Sequence, residues 1–138
     1  EVQKSFNFMK KIKGFEGVLI QDYTIGLFIL LGLKKDPTFG PVVTVGTGGI
    51  FTEILRDVSF RVCPITKQDA DEMIKELKLY KILKGFRGKK YASQKVISTL
   101  IKLSKLSQKY PKIKELDINP LIATEKQVSI VDARIVFE

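Results

Sequence analysis

Two apolar, strand-like runs near the end of the chain restrict its fold more than any other feature. Residues 115–138 read ELDINPLIATEKQVSIVDARIVFE, so the link between the two runs is only a few residues long. A link of that length suits a tight turn between antiparallel strands. The sequence therefore predicts that the chain ends in a β-hairpin.

Polar side chains interrupt both runs of this hairpin. Asp117 and Asn119 are two residues apart and share one face of the first strand, and Asp132 interrupts the second. A two-residue turn at Glu125–Lys126 places Asn119 directly opposite Asp132, with their Cβ atoms about 5 Å apart. No Asn-Gly pair fixes the turn, so a slip of one residue is the alternative.

An unpaired carboxylate is costly to bury, so these polar groups either face solvent or surround a positive charge. Oxygen donors from Asp117, Asn119 and Asp132 suit a hard cation. Mg²⁺ fits best, because it accepts one or two protein oxygens and fills its other positions with water and phosphate oxygens. A solvent-facing polar stripe with Arg134 as ion-pair partner is the alternative, and spacing alone leaves both open.

A glycine cluster, GTGG, begins at Gly46, where the strand-like run PVVTVG ends. Closely spaced glycines expose backbone N–H groups that can bind an anion, although the cluster is neither a G-x-G-x-x-G motif nor a P-loop. A structural loop with a bulge is the alternative. The charged residues that follow are expected to face solvent or to pair with one another; they are Glu53, Arg56, Asp57 and Arg61.

The remaining patterns predict short elements along the whole chain. Helical spacing and the glycine at position 14 predict a helix over residues 2–13. The runs predicted as strands are GVLIQDY, LFILLGLKKD, PVVTVG and FTEILRDVSFRVCP, the first half of the last having a helix as its alternative. The glycine-broken, basic residues 80–92 predict a loop.

Two longer helices are predicted in the middle of the chain. Thr66 and Asp69 form a near capping box for a helix that continues to about Lys78. Ser93 is predicted to cap a second helix, which ends near Pro111. One apolar face of that helix comprises Val96, Ile97, Leu100, Ile101 and Leu103.

This order of elements predicts an α+β fold, with a mostly antiparallel sheet and two packed helices. The 138 residues suit a single domain over 1–138, in which residues 1–15 form a short leading helix or linker. Because the chain begins at Glu1 without Met, it is interpreted either as a natural short protein or as a fragment of a longer one.

The charge balance favours anionic partners but does not select one. With 24 basic and 15 acidic residues the net charge is +9, which attracts polyanions or reflects a lysine-rich solvated surface. Lys84, Arg87, Lys89 and Lys90 form either a phosphate clamp or an ordinary basic loop. No helix-turn-helix, zinc or base-stacking aromatic pattern accompanies them, so a nucleic-acid-binding module is disfavoured.

Residue counts exclude several kinds of chemistry. The chain has no histidine, which excludes histidine acid–base catalysis, Cys–His zinc sites and a phosphohistidine on this chain. The single Cys63 cannot form an internal disulfide and is expected in the core, and a cytoplasmic location is the default. The most apolar stretch, residues 17–33, is interrupted by Gln21 and Asp22 and is too short for a membrane span of about 20 apolar residues.

Five segments in this order resemble the carboxyl-terminal portion of the ATP-grasp domain in ADP-forming acyl-CoA synthetases (ADP-forming acetate–CoA ligases, β chain). They are GVLIQD, KKDPTFGPVVTVGTGGIFTEILRDVSFR, PITKQDADEMI, LKGFRG and the pair ELDINPLI and VDARI. More distantly, they are similar to the succinyl-CoA synthetase β chain. The resemblance extends from about residue 16 to residue 136 and so covers nearly the whole chain.

The resemblance implies a nucleotide site that holds ATP or ADP with Mg²⁺. It implies that a hinge strand meets adenine through its backbone, at Leu19, Ile20, Gln21, Asp22 and Tyr23. Gly46, Gly48 and Gly49 would form a loop near the phosphates or the phosphoryl acceptor. Asn119 and Asp132, supported by Asp117, would hold Mg²⁺. In the family, acyl-CoA, ADP and phosphate are converted to acid, CoA and ATP through a phosphohistidine.

Two departures from the family bear on activity. Phe28 stands where the family usually has a glutamate that holds the ribose hydroxyls, and a phenyl ring cannot accept those hydrogen bonds. The amino-terminal ATP-grasp half and the CoA-binding α-type subunit are absent, so we expect both as partners, expect oligomerisation, and expect the chain alone to be inactive. A non-catalytic relic or regulatory subunit is the alternative.

Overall fold

The computed structural model describes residues 1–138, apart from the side chains of Phe51, Glu53 and Ile54. Six strands form one sheet, in which every described pairing is antiparallel. They are β1 (Leu27–Asp36), β2 (Gly40–Thr47), β3 (Val58–Val62), β4 (Ile113–Ala123), β5 (Val128–Ile130) and β6 (Ala133–Phe137). Their order is β3-β2-β1-β4, and β5 and β6 both pair with β4, which confirms the predicted antiparallel α+β class.

Helices occupy the first residues and the connections between the strands. They are α1 (Val2–Met9), α2 (Thr52–Leu55), α3 (Lys67–Glu76), α4 (Tyr80–Lys84) and α5 (Ser93–Lys109), and a 3₁₀ turn at Gly49–Phe51 precedes α2. α3 and α5 contact each other and the sheet. None of the described helices combines the length and apolar character that a membrane span requires.

One face of the sheet packs on these helices and forms the core. Alternate residues of the two central strands are fully buried there, namely Ile29, Leu31, Val43 and Val45. Their intervening neighbours point to the opposite face, as the two-residue period of a strand requires. On that face of β3, Phe60 and Val62 are exposed.

The two central helices largely follow the sequence. Thr66 and Asp69 form the capping box: the Asp69 N–H donates to Thr66 Oγ1 at 3.1 Å, and the Thr66 N–H donates to Asp69 Oδ2 at 2.8 Å. The predicted apolar face of α5 is confirmed, because four of its residues are buried and Ile101 packs against them. The buried four are Val96, Ile97, Leu100 and Leu103.

Ser93 is not the cap of α5, contrary to the prediction. The N-cap residue is Ala92, which makes no side-chain capping hydrogen bond. Its N–H donates to the Thr124 carbonyl at 2.8 Å, so the hairpin turn holds the chain where the helix begins. Ser93 is thereby the first residue of the helix itself.

Three other predicted boundaries differ from the structure. Helix α1 ends at Met9 rather than at residue 13, and none of its residues is buried. Residues 80–84 are helical rather than a loop, because Leu79 and Leu83, one turn apart, both reach the core. In FTEILRDVSFRVCP the helical alternative holds for Thr52–Leu55, before β3.

The run GVLIQDY, residues 17–23, is not a strand. It has no regular secondary structure and is exposed, with 80% of Leu19, 85% of Ile20 and 90% of Tyr23 accessible to solvent. No other segment of the described chain pairs with it. Strand-forming side chains do not make a strand without a neighbour that satisfies the backbone groups.

Candidate nucleotide site

The hairpin has the predicted register. Its turn carries Glu125 and Lys126 at the tip, and Ala123 pairs with Val128 directly after it. Further along, Asp117 pairs with Arg134 in the same register. Between these pairs, the Asn119 N–H donates to the Asp132 carbonyl at 3.2 Å. The alternative slip of one residue is therefore excluded.

Asn119 lies at a bulge in β4. On the β1 side, the register shifts between the pairs Ile29–Leu121 and Leu31–Ile118, so β4 has one extra residue there. The carboxamide oxygen of Asn119 accepts a hydrogen bond from the Gly49 N–H at 2.9 Å. The hairpin and the glycine loop, 70 residues apart in sequence, are joined at this point.

Asp117 is partly buried on β4, beside other acidic groups. Burial raises the pKa of its carboxyl, and the negative charges of Glu115 and Asp132 raise this pKa further, while Arg134 lowers it. A bound cation would relieve this repulsion, since a nearby positive charge favours the ionised carboxylate. Asp132 itself is exposed.

The protein oxygens available here are few. Among the described side chains, no three acidic, histidine or cysteine groups converge closely enough to form a metal site by themselves. Asp117, Asn119 and Asp132 nevertheless offer hard oxygen donors of the kind that Mg²⁺ accepts. A cation here would need ligands from water or phosphate, as Mg²⁺ commonly has.

The glycine loop is closed onto the protein rather than open. The Gly48 N–H donates to the Phe28 carbonyl at 3.0 Å, and the Gly49 N–H is taken by Asn119. Gly49 has a φ of +71°, and a Cβ there would lie 2.6 Å from the Phe28 ring. A Cβ at Gly46 would lie 2.6 Å from the Asp57 carbonyl. These glycines are required for close packing, and the N–H groups of Gly48 and Gly49 are already paired.

Asp57 is a buried anchor that the sequence analysis missed. It is 7% exposed, and its carboxylate accepts hydrogen bonds from the Thr47 hydroxyl at 2.9 Å and from the Lys78 and Leu79 N–H groups at 2.8 and 3.0 Å. The expectation that it faces solvent or pairs with its charged neighbours was therefore wrong. Arg61 likewise pairs with Glu76 of α3 instead, and the side chain of Glu53 lies outside the described residues.

The residues predicted to meet the nucleotide are only partly brought together. Gln21, Asp22 and Tyr23 line an open groove of about 440 Å³ against the hairpin residues Pro120 and Ile122. Leu19 and Ile20 do not line it, and Asp117 lines a separate cavity of about 230 Å³.

Phe28 lines this groove and also a second one. The second groove, of about 570 Å³, is mostly apolar, and Phe28 lines it together with Gly48, Leu55 and Ile82. The ring also meets the glycine loop, because it lies directly against Gly49. Phe28 and Gly26 thus line both the apolar groove and the groove beside residues 21–23.

Comparison with known proteins identifies relatives of this architecture. The β subunit of acetate–CoA ligase (ADP-forming) I from Pyrococcus furiosus is 50% identical over 113 residues, which are 81% of this chain and 49% of the subunit. Acetate–CoA ligase (ADP-forming) I from Archaeoglobus fulgidus is 41% identical over 139 residues, which are 95% of this chain and 20% of that protein.

A solved structure also shares the fold. It is the dinucleotide-forming acetyl-coenzyme A synthetase 1 of Ca. Korarchaeum cryptofilum, in complex with coenzyme A and Mg-AMPPCP. Its TM-score is 0.81 at 44% sequence identity, over 84% of this chain and 55% of that one. The chain thus spans about half of two of these relatives and a fifth of the third.

The family assignment covers nearly every residue. Residues 1–137 match the family model described as the ATP-grasp domain. The antiparallel sheet and the packed helices agree with the solved relative in fold. The chain therefore belongs to the ATP-grasp domain family.

Proposed function

We propose that the chain binds ATP or ADP together with Mg²⁺ and forms the carboxyl-terminal ATP-grasp portion of an ADP-forming acyl-CoA synthetase. The observation that carries this proposal is the hydrogen bond from the Gly49 N–H to Asn119 Oδ1. It holds the glycine loop against the hairpin that bears Asp117 and Asp132. Two polypeptide segments predicted to serve the phosphates and the metal thus meet at one point.

The donor set fits Mg²⁺ in its chemistry. Asn119 Oδ1 keeps a second lone pair after accepting from Gly49, and the exposed Asp132 offers a carboxylate without a described ion-pair partner. Burial, and after it the negative charges of Glu115 and Asp132, raise the pKa of Asp117, so a cation would stabilise its charged form. When bound, Mg²⁺ would neutralise charge on the phosphate oxygens of the nucleotide.

The residues beside the groove would position the rest of the nucleotide. Gln21, Asp22 and Tyr23 form one wall and Pro120 and Ile122 the other, which suits a flat, mainly apolar ring such as adenine. Within the described part of the chain, the backbone groups of residues 17–23 make no backbone hydrogen bond, so they are available to the polar edge of that ring. Leu19 and Ile20 do not line the groove, so a backbone contact between them and adenine stays a prediction.

The whole reaction requires parts beyond this chain. Two of the relatives are named acetate–CoA ligases, one of them a β subunit, and the matched regions are 49% and 20% of their lengths. We propose that an amino-terminal ATP-grasp half and a CoA-binding α-type subunit complete the site. Together they would convert acyl-CoA, ADP and phosphate to acid, CoA and ATP. Assembly into an oligomer and a cytoplasmic location remain predictions.

Calorimetric titration of ADP and ATP, with and without Mg²⁺, tests the nucleotide proposal. Binding should require Mg²⁺ and should be lost in Asp132→Ala. Because Asp132 is exposed, this substitution should not disturb folding, so misfolding would not explain the loss. Glu125→Ala is the matched control, since it removes an exposed carboxylate from the tip of the same hairpin and should leave binding unchanged. Equal binding by the native chain and Asp132→Ala would contradict the proposed metal site.

A non-catalytic subunit is a second candidate, which Phe28 favours. Its ring lies against Gly49 and offers no acceptor for ribose hydroxyls. If Phe28 is what weakens nucleotide binding, Phe28→Glu should increase the affinity for Mg-ADP, whereas Phe28→Leu should not. A native chain that binds no nucleotide, together with a Phe28→Glu variant that does, would identify a subunit that has kept the fold and lost the ligand.

A further inference from the structure

Four lysines surround an open groove next to helix α4, and none of Asp117, Asn119 and Asp132 lines this groove. The groove has a volume of about 650 Å³ and is lined by Tyr80, Lys81, Lys84, Gly85, Gly88, Lys89 and Lys90. Its lining includes no acidic side chain. Within the described part of the chain, none of the four lysines takes part in an ion pair. Their positive charges are therefore left uncompensated by the protein.

A tight backbone turn gives this groove a defined shape. Phe86 and Lys89 exchange two backbone hydrogen bonds, of 3.0 and 3.1 Å, and close a tight turn. Arg87 and Gly88 at its centre have φ values of +50° and +79°. The turn returns Lys89 toward Lys84, which lies over the Tyr80 ring at 5.9 Å. The lysines thus project from two fixed elements rather than from a loose tail.

Stabilisation of the helix end accounts for two of the four lysines. Lys81 and Lys84 lie in the last turn of α4, where cations complement the partial negative charge of the helix end. Lys89 and Lys90 lie beyond the helix and add only mutual repulsion. A dianion in the groove would turn this repulsion into attraction for all four.

The groove is also connected to the predicted nucleotide region. A neighbouring groove of about 540 Å³ shares Lys89 with it and is lined by the hairpin turn, Thr124 to Gln127, and by Ile25 and Gly26. Ile25 and Gly26 in turn line the groove beside Gln21 to Tyr23. A ligand longer than a single phosphate group could therefore extend from the lysines toward the hairpin.

From this arrangement, we propose that the lysine groove is a second anion site that binds the pyrophosphate group of a small molecule. The site is separate from the candidate Mg²⁺ donors Asp117, Asn119 and Asp132, and it does not depend on the nucleotide binding proposed there. ADP and coenzyme A both carry such a group. Nucleic acid is a poorer occupant, because the lining contains a single aromatic side chain, Tyr80, and Lys84 lies over its ring at 5.9 Å.

Titration of inorganic pyrophosphate into the 138-residue chain, without Mg²⁺, tests the site. Lys84→Gln/Lys89→Gln should weaken binding by at least about tenfold, since hydrogen bonds to charged groups are lost. Lys102→Gln/Lys105→Gln removes the same charge from exposed positions on α5 and should change the affinity less than about twofold. Equal weakening in both variants, or no binding by the native chain, would overturn the proposal.

Further titrations identify the source of the pyrophosphate and separate the two proposals. Asp132→Ala should keep pyrophosphate binding even where it loses Mg-dependent nucleotide binding. Loss of both would show a single site and would overturn the proposal of a second anion site. In that variant, displacement of pyrophosphate by coenzyme A or by ADP, without Mg²⁺, would identify the preferred ligand. Displacement by an oligonucleotide at a lower concentration than either would overturn the proposal in favour of nucleic acid.

Discussion

Residues 17–23 and strand β4 have similar strand-forming composition but opposite structures. β4 pairs with three strands, and its Leu121 is fully buried. Residues 17–23 pair with no described segment, and Ile20 is 85% exposed. The difference shows that a strand depends on neighbours that satisfy its backbone groups and cover its side chains, and not on its own residues alone.

The same comparison bears on the proposed site. β4 and the hairpin hold the candidate metal donors, whereas only Gln21, Asp22 and Tyr23 of the residues predicted to meet adenine line the groove, which is open to solvent. Under the proposed function, an amino-terminal half would cover this opening. On that proposal, the metal end of the site lies within this chain, and the adenine end is completed by a partner.

The largest expected effect on stability is in the core, at Leu121 of β4. Leu121→Ala should lower the free energy of unfolding by about 2–5 kcal/mol, because it leaves a cavity in place of a fully buried side chain. Urea denaturation measures this loss. A loss below about 1 kcal/mol would mean that the hairpin is not packed as described.

A smaller effect is expected at the link between the hairpin and the glycine loop. Asn119→Ala removes the acceptor of the partly buried Gly49 N–H and should cost about 0.5–1.5 kcal/mol, the usual net value of one hydrogen bond. Asn119→Asp keeps an acceptor oxygen and should retain more of the stability. If both variants unfold at the urea concentration of the native chain, the link does not stabilise the fold.

Removing the charge of Asp117 on β4 should raise the free energy of unfolding rather than lower it. The pKa of Asp117 is raised by burial and by the charges of Glu115 and Asp132, so its ionised form opposes folding. Asp117→Asn should stabilise the chain at neutral pH. The raised pKa means that the native chain gains stability as the pH falls through the titration range of this carboxyl. The difference between variant and native chain should therefore disappear in acid, as melting temperatures across that range would reveal.

The smallest effect is expected in residues 17–23. Ile20→Ala should change the free energy of unfolding by less than about 0.5 kcal/mol, since the side chain is already exposed. Hydrogen exchange gives a direct readout, because amides of residues 17–23 should exchange freely while those of β4 are protected. Protection of residues 17–23 in the isolated chain would break the comparison by revealing a partner segment.

Predictions from local sequence were the successful ones. The register of the hairpin follows from a short turn, and the helix start at Thr66 follows from a residue three positions away, Asp69. The apolar face of α5 follows from its period. Each of these depends on interactions within a few residues or across one turn, which the sequence displays directly.

The errors at Asp57, Ser93 and residues 17–23 involve contacts between distant segments, present or lacking. Asp57 is buried because backbone N–H groups more than 20 residues away approach it. Ser93 is not a cap because Thr124 holds Ala92. Residues 17–23 lack a strand because no described segment lies beside them. No local pattern signals such partners.

The sequence by itself determined the antiparallel class, the hairpin register and the residues that offer oxygen donors, because strand alternation and turn length act over short distances. Only the tertiary structure decided that Asn119 binds the glycine loop and that four lysines share one groove. It also decided that Asp117 carries a raised pKa. These properties depend on which distant groups approach one another, and that is set by the packing of the whole sheet against its helices.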